Sequence, residues 1–195
     1  MTKSELLAHI PPLYRAARPI AERRRARRGH PDDAKRLLMR QTAEAHGLRV
    51  LVETGTYMGE TAWAMRRHFD RVETIELEPM LARLAEIRFR RTATVHVHSG
   101  DSATVLPEIL ATLDEPALFW LDAHPSTDRS AHGPVPLRAE LNAISGHPVG
   151  GHVVLVDDLQ YLGTEGYPAL AELELPGYDL ETVGSVVRLT PNTRS

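Results

Sequence analysis

The stretch VLVETGTYMGETAWAM, residues 50–65, begins as an apolar, β-branched run and ends as a helix. Gly55 and Gly59 lie between the two, with Thr54, Thr56 and Tyr57 around them and Glu53 just ahead. Glycine permits a tight turn and close approach of backbone to a ligand. A helix starting near Glu60 aims its first amides into the same space. A dinucleotide fingerprint needs glycines at 55, 57 and 60, but Tyr57 and Glu60 stand there instead. The hydride-transfer reading therefore fails. The Gly-Lys-Ser/Thr ending of a phosphate-cradling loop is absent as well. Glu53 would repel phosphate, yet it can accept hydrogen bonds from an ammonium group. The turn suits a zwitterionic ligand.

Outward from this turn the pattern alternates. Strands are expected at Arg49–Glu53, Arg71–Glu76, Thr92–Val97, Ala117–Asp122 and His152–Asp157. Helices are expected at Glu60–Phe69, at Pro79–Phe89 with proline at its start, at Ser102–Leu113 despite Pro107, at Pro136–Ser145 and at Glu165–Glu174. Tyr178–Val183 and Ser185–Leu189 read as a closing antiparallel hairpin through Gly184. Upstream, Asp32 or Asp33 caps a helix that runs to about His46 and stops at Gly47. Pro11, Pro12 and Pro19 break the first segment into one or two short helices. Alternating strands and helices imply an α/β fold, a single Rossmann-like, doubly wound and mostly parallel sheet. Residues 1–47 form an N-terminal helical segment that shapes the substrate pocket or a dimer contact. Residues 48–195 form the Rossmann-like domain.

The composition narrows the function. The chain has 195 residues, 42% hydrophobic and 25% charged, as expected of one globular domain. Without cysteine there is no disulfide, zinc–thiolate site or cysteine nucleophile. No apolar run approaches the roughly 18 residues that span a bilayer, and the N-terminus lacks a signal peptide's apolar core. The expectation is a cytoplasmic protein with no membrane partner. A formal charge of −3 speaks against general nucleic-acid affinity. Arg15, Arg18, Arg23, Arg24, Arg25, Arg27 and Arg28 form either an anion-binding arm or a solvated helix face; the second is favoured, because no aromatics interleave for base stacking. Lys3 and Lys35 are the two lysines of the chain, which nearly excludes a catalytic lysine.

Ligands of open α/β sheets bind beyond the carboxyl ends of the strands. Glu53, Glu76, Asp122 and Asp157 end their strands there. Glu76, 23 residues after Glu53, is placed to accept both hydroxyls of a ribose. Asp101, in Ser99–Ser102, can accept from an exocyclic amine or else cap the next helix. An amino-acid moiety, a ribose and an adenine in that order describe S-adenosylmethionine. Its expected contacts are Glu53, Gly55, Thr56, Tyr57, Gly59, Glu76, Leu77, Gly100, Asp101, Ser102 and Asp122.

From Val50 to about Leu159 the chain resembles a class I S-adenosylmethionine-dependent methyltransferase. ETGTYMGE stands where that family has its acidic-x-Gly-x-Gly-x-Gly motif, with Tyr57 in a glycine's place. IELEP carries the ribose acid and GDS the adenine segment. FWLDAH and VLVDD are similar to the small metal-dependent O-methyltransferases, including the catechol and macrolide-sugar types. The resemblance implies the seven-stranded sheet of that family. It also implies one metal-binding acid after strand four and an acidic pair after strand five. Asp122, Asp157 and Asp158 stand at those positions. Three carboxylates gathered on one rim without a lysine call for a hard divalent cation, magnesium first; helix capping and loop solvation are the alternative roles.

Catechol-type relatives place a lysine base near the strand-four acid, and this chain has none there. His124 is the leading replacement, acting with Asp122 in catalysis; His132 and His152 rank behind it. His96 and His98 alternate along a strand and read as structural. The loop from Ala123 to Val135 is a candidate lid. The expected function is metal-assisted O-methylation of a small hydroxylated molecule. The alternatives are N-methylation or another use of S-adenosylmethionine without metal, or a non-catalytic nucleotide-binding module on the same fold. The oligomeric state stays open, with a homodimer as one option.

Overall fold

β1 (Val50–Thr54) is an apolar and β-branched run that also carries Glu53, and it is buried at every position. Such a strand needs cover on both faces, which a parallel sheet flanked by helices supplies. The computed structural model describes residues 31–122, 135–157, 159–164 and 166–192. Packing separates Met1–Leu38 from Met39–Ser195. Of the first unit, residues 31–38 are described. They open α1 (Pro31–His46), where Arg36 pairs with Asp33 at 3.6 Å. The helices expected before Pro31, the arginine cluster and Lys3 lie outside the described residues.

The chain then alternates through α2 (Glu60–Met65), β2 (Arg71–Glu76), α3 (Pro79–Phe89), β3 (Val95–Ser99), α4 (Ser102–Leu110), β4 (Ala117–Leu121), α5 (Leu137–Ser145) and β5 (Val153–Val156). It closes through the antiparallel pair β6 (Tyr178–Val183) and β7 (Val186–Pro191). The seven strands lie in the order β3-β2-β1-β4-β5-β7-β6, parallel from β3 to β5, with β7 antiparallel to β5. The direction of winding reverses between β1 and β4, so their carboxyl ends frame the ligand crevice.

One face of the sheet presents Val50, Val52, Ile75, Phe119, Leu121, Val154 and Val156 to the apolar sides of α4 and α5, forming a continuous core. α2 and α3 cover β2 and β3. Ala62, Met65, Ala82, Ala85 and Phe89 are their buried residues.

Several expected boundaries move. α1 already includes Pro31, so Asp32 and Asp33 lie inside its first turn. α2 ends at Met65 rather than Phe69, because Arg66–His68 continue as turns. β3 starts at Val95 rather than Thr92, since the Val95 amide bonds back to the Thr92 carbonyl in a turn. α4 carries Pro107 but ends at Leu110 rather than Leu113. The α-helix expected at 165–174 is replaced by a 3₁₀ turn at Leu170–Leu173. Pro168 removes a helix donor and Gly166 sits at φ +84, outside the helical region.

Candidate active site

The turn after β1 is pinned to β2 by its own backbone. The amides of Gly55 and Thr56 both donate to the Ile75 carbonyl, at 3.0 and 3.1 Å. Gly55 (φ 87), Tyr57 (φ 48) and Gly59 (φ 68) all adopt left-handed conformations. A Cβ at Gly59 would lie 2.7 Å from Cε2 of the buried Phe89 ring, so the helix start depends on glycine there. Under the turn, the Thr74 hydroxyl donates to Glu53 at 2.6 Å. Its single proton is thereby used, so the Thr56 hydroxyl, 2.6 Å away, must donate to Thr74. Glu53 is 2% exposed and lies beneath the turn as the acceptor at the end of this chain.

Glu76, at the end of β2, is the hub of the edge. Its Oε2 accepts from the Tyr57 amide at 2.6 Å and its Oε1 from the Glu78 amide at 3.0 Å. A carboxylate offers about four acceptor sites, so both oxygens keep capacity for ribose hydroxyls. The Gly100 amide donates to the Glu76 carbonyl at 2.9 Å, which ties the end of β3 to the same point. Tyr57 and Leu77 flank Glu76 in sequence or hydrogen bonding and stand exposed. Asp101 adopts the capping role: its Oδ1 accepts from the Ala103 amide at 2.9 Å. Ser102, the first residue of α4, is buried.

Sequence reasoning missed Glu140. α5 buries Leu137, Leu141 and Ile144 in a helical stripe, and Glu140 falls on that stripe. A carboxyl at an apolar-face position is the signal that could have found it. Glu140 is 1% exposed. Burial pushes its acid up to about 7, against the pull of the Ser102 and Thr54 hydroxyls; Asp101 adds to the rise. Neither hydroxyl closes a hydrogen bond of normal length to it, and the Thr54 hydroxyl is itself buried without one.

The acids expected to hold a metal are placed in part. The Asp122 amide bonds to the Thr54 carbonyl at 3.2 Å and the Asp157 amide to the Leu121 carbonyl at 3.0 Å. These two carboxylates therefore follow neighbouring strands on the ligand edge. They are the oxygen-donor chemistry a hard cation takes. Asp158, His124 and His132 lie outside the described residues. Among the described residues, no three His, Cys, Asp or Glu converge to hold a metal.

His152 does not belong to this edge. It precedes β5, and its Nδ1 accepts from the amide of Ala117, the first residue of β4, at 3.0 Å. That is the opposite end of the sheet, which removes His152 as a base. His98 bonds to the buried Glu73, which Arg71 also bonds. Burial pushes the Glu73 carboxyl up, but these bonds to His98 and Arg71 outweigh it and hold it below its ordinary value.

The crevice thus joins a glycine turn, an acid at the end of β2 and a capped helix after β3. Solved structures share the fold that builds it. An O-methyltransferase from Bacillus cereus in complex with SAH aligns over 84% of this chain and 82% of its own, at 19% identity and TM-score 0.61. The fold is that of the S-adenosylmethionine-dependent methyltransferases. The O-methyltransferase TomG from Streptomyces achromogenes, involved in tomaymycin synthesis and solved with SAM, matches over 86% of both chains at 19% identity and TM-score 0.58. The N-methyltransferase NodS from Bradyrhizobium japonicum matches over 82% of this chain and 96% of its own, at 11% identity and TM-score 0.58. At these identities the likeness is one of fold, and methyltransferases of both oxygen and nitrogen share it. No protein-family model and no curated protein sequence matches the chain.

Proposed function

We propose that this chain is an S-adenosylmethionine-dependent methyltransferase that methylates a hydroxyl of a small molecule in the cytoplasm. The observation that carries the reading is the Tyr57–Glu76 contact. It locks a left-handed turn at the end of β1 onto the acid at the end of β2, where a nucleoside's ribose and its amino-acid arm would meet. The buried chain Thr56–Thr74–Glu53 ends in a carboxyl under this floor, an acceptor for an ammonium group. Bound S-adenosylmethionine would supply a methyl group on a sulfonium sulfur, which leaves as a neutral thioether. The protein's task is to hold the acceptor oxygen in line with it, and positioning of that kind carries much of the rate.

Asp122 and Asp157, with Asp158, are the residues that would hold a divalent cation, magnesium first. Such a cation supplies positive charge that lowers the pKa of a hydroxyl. His124, two residues after Asp122, is the proposed proton acceptor. Calorimetric titration with S-adenosylhomocysteine, with and without magnesium and after chelation, tests the assignment. Binding should be lost by Glu76→Ala to the extent of about 2–4 kcal/mol, the value of charge-assisted bonds to both ribose hydroxyls. Absence of binding in the wild type under every condition would overturn the cofactor reading. Binding and turnover indifferent to chelation and to Asp157→Asn would leave a metal-free methyltransferase.

A further inference from the structure

Glu140 is a buried polar group that the proposed reaction does not use, and both its carboxyl oxygens are buried without a partner among the described residues. Three elements meet at it: the end of β1 through Thr54, the start of α4 through Ser102, and α5 itself. Both carboxyl oxygens and the Thr54 hydroxyl are buried without a closed hydrogen bond. Thr54 leads directly into the glycine turn, and Ser102 follows Asp101. A cofactor seated on the turn and on the start of α4 would therefore rest on two segments that share this one carboxyl.

We infer that Glu140, as a neutral carboxylic acid, is a positioning residue that braces Thr54 against Ser102 and so holds both halves of the cofactor crevice in the receptive arrangement. The inference rests on the cofactor reading above. A neutral acid has one O–H donor and a carbonyl acceptor, so it can close a bond to each of the two hydroxyls, bonds that stand open in this structure. An ionised carboxylate accepts only, and at this burial it must leave its position to be hydrated. The other charges nearby do not relieve it. Asp101 at the cap of α4 disfavours the charged form. Arg138 on α5 pairs with Glu172 at 3.4 Å. Glu53, next to Thr54, bonds Thr74 on the other face of the sheet, and Asp122 beyond β4 is a further acid. Among the described residues, no basic side chain pairs with Glu140.

The proton linkage has a definite sign. The folded acid titrates near 7, above its ordinary 4.5. Its favourable contribution is full below about 4.5 and is lost as the pH rises through about 7. The receptive arrangement therefore binds a proton, and cofactor affinity should fall above pH 7, by up to about tenfold per pH unit for one linked proton.

The experiment compares wild type with Glu140→Gln, which keeps the shape and the donor and cannot ionise. S-adenosylhomocysteine is titrated from pH 6 to 9, and the melting temperature of the free protein is followed over pH 4.5 to 9. Wild type should lose affinity above pH 7 while Glu140→Gln stays flat. The variant should also melt higher than wild type at pH 8, with the difference vanishing toward pH 5. Wild-type binding at pH 8, measured in two buffers of different ionisation enthalpy, should take up close to one proton. That measurement needs no variant. Identical pH profiles in the two proteins, weaker binding of the variant at every pH, or no proton uptake would each overturn the inference. A wild type that binds no cofactor but still shows the pH-dependent melting difference would overturn the cofactor role and retain the brace.

Discussion

Tyr57 adopts a left-handed backbone at φ 48, where glycine is the usual occupant. A side chain there costs roughly 1–2 kcal/mol, and the hydrogen bond that the Tyr57 amide donates to Glu76 is what holds it. The sequence shows the residue but not that compensation, because the partner lies on another strand. Gly59 shows the opposite case. At φ 68, with Phe89 directly beneath it, the position has room for hydrogen only. Gly59→Ala should destabilise the protein by at least about 1–2 kcal/mol, the left-handed penalty alone. At this chain length that is a drop of roughly 2–8 °C in melting temperature. A thermal scan showing no drop would mean that neither the left-handed backbone nor the Phe89 contact constrains this position. Asp101 marks the limit of reading roles from types: its Oδ1 takes the cap, and the remaining acceptor sites are compatible with the amine role as well.

Strands read more truly than helices along this chain. β1, β4 and β5 are short, wholly buried runs whose apolar residues have no second interpretation. The helix expected at 165–174 failed because Gly166 and Pro168 outweigh the helix formers Ala, Leu and Glu that follow. The elements also separate two ends that a sequence cannot distinguish. His147 and His152 meet at the amino edge, where His147 Nδ1 and His152 Nε2 lie 2.9 Å apart. Since His152 Nδ1 accepts from the Ala117 amide, its proton sits on Nε2 and is donated to His147. Burial, and then the neighbouring His147, push the His152 pKa down to about 4. A depressed pKa means the unfolded chain takes up the proton first. The stability this pair contributes is present above about 6.5 and is lost as the pH falls through about 4. His152→Asn keeps an acceptor for Ala117 and cannot charge. Its melting temperature should fall less than that of wild type between pH 6.5 and 4. Parallel acid limbs for the two proteins would show that His152 does not govern the acid side.

Across the whole molecule, the reversal of strand order between β1 and β4 creates the crevice. That much follows from alternating strands and helices. What does not follow is the inferred participation of α5, because Glu140 lies on a helix whose place beside the end of β1 the sequence does not show. The two ends of the sheet carry different chemistry: a glycine turn, Glu76 and Glu140 at one, the histidine pair at the other. Hydrogen exchange can tell them apart. The central strands should exchange slowest, since β1 and β4 are buried throughout and paired on both sides, while β3 and β6 are edge strands with exposed positions. Local openings exchange edges before the core. A ligand that binds only the folded state adds protection wherever its site must open. S-adenosylhomocysteine should therefore slow exchange at residues 55–59, 76–78 and 100–103, the segments of the turn, of the amides around Glu76 and of the cap. The amides of 147–153 should be slowed only to the extent that global unfolding is. Selective protection at the histidine edge, with none at the turn, would place the ligand at the wrong end of the sheet and defeat the assignment of the crevice.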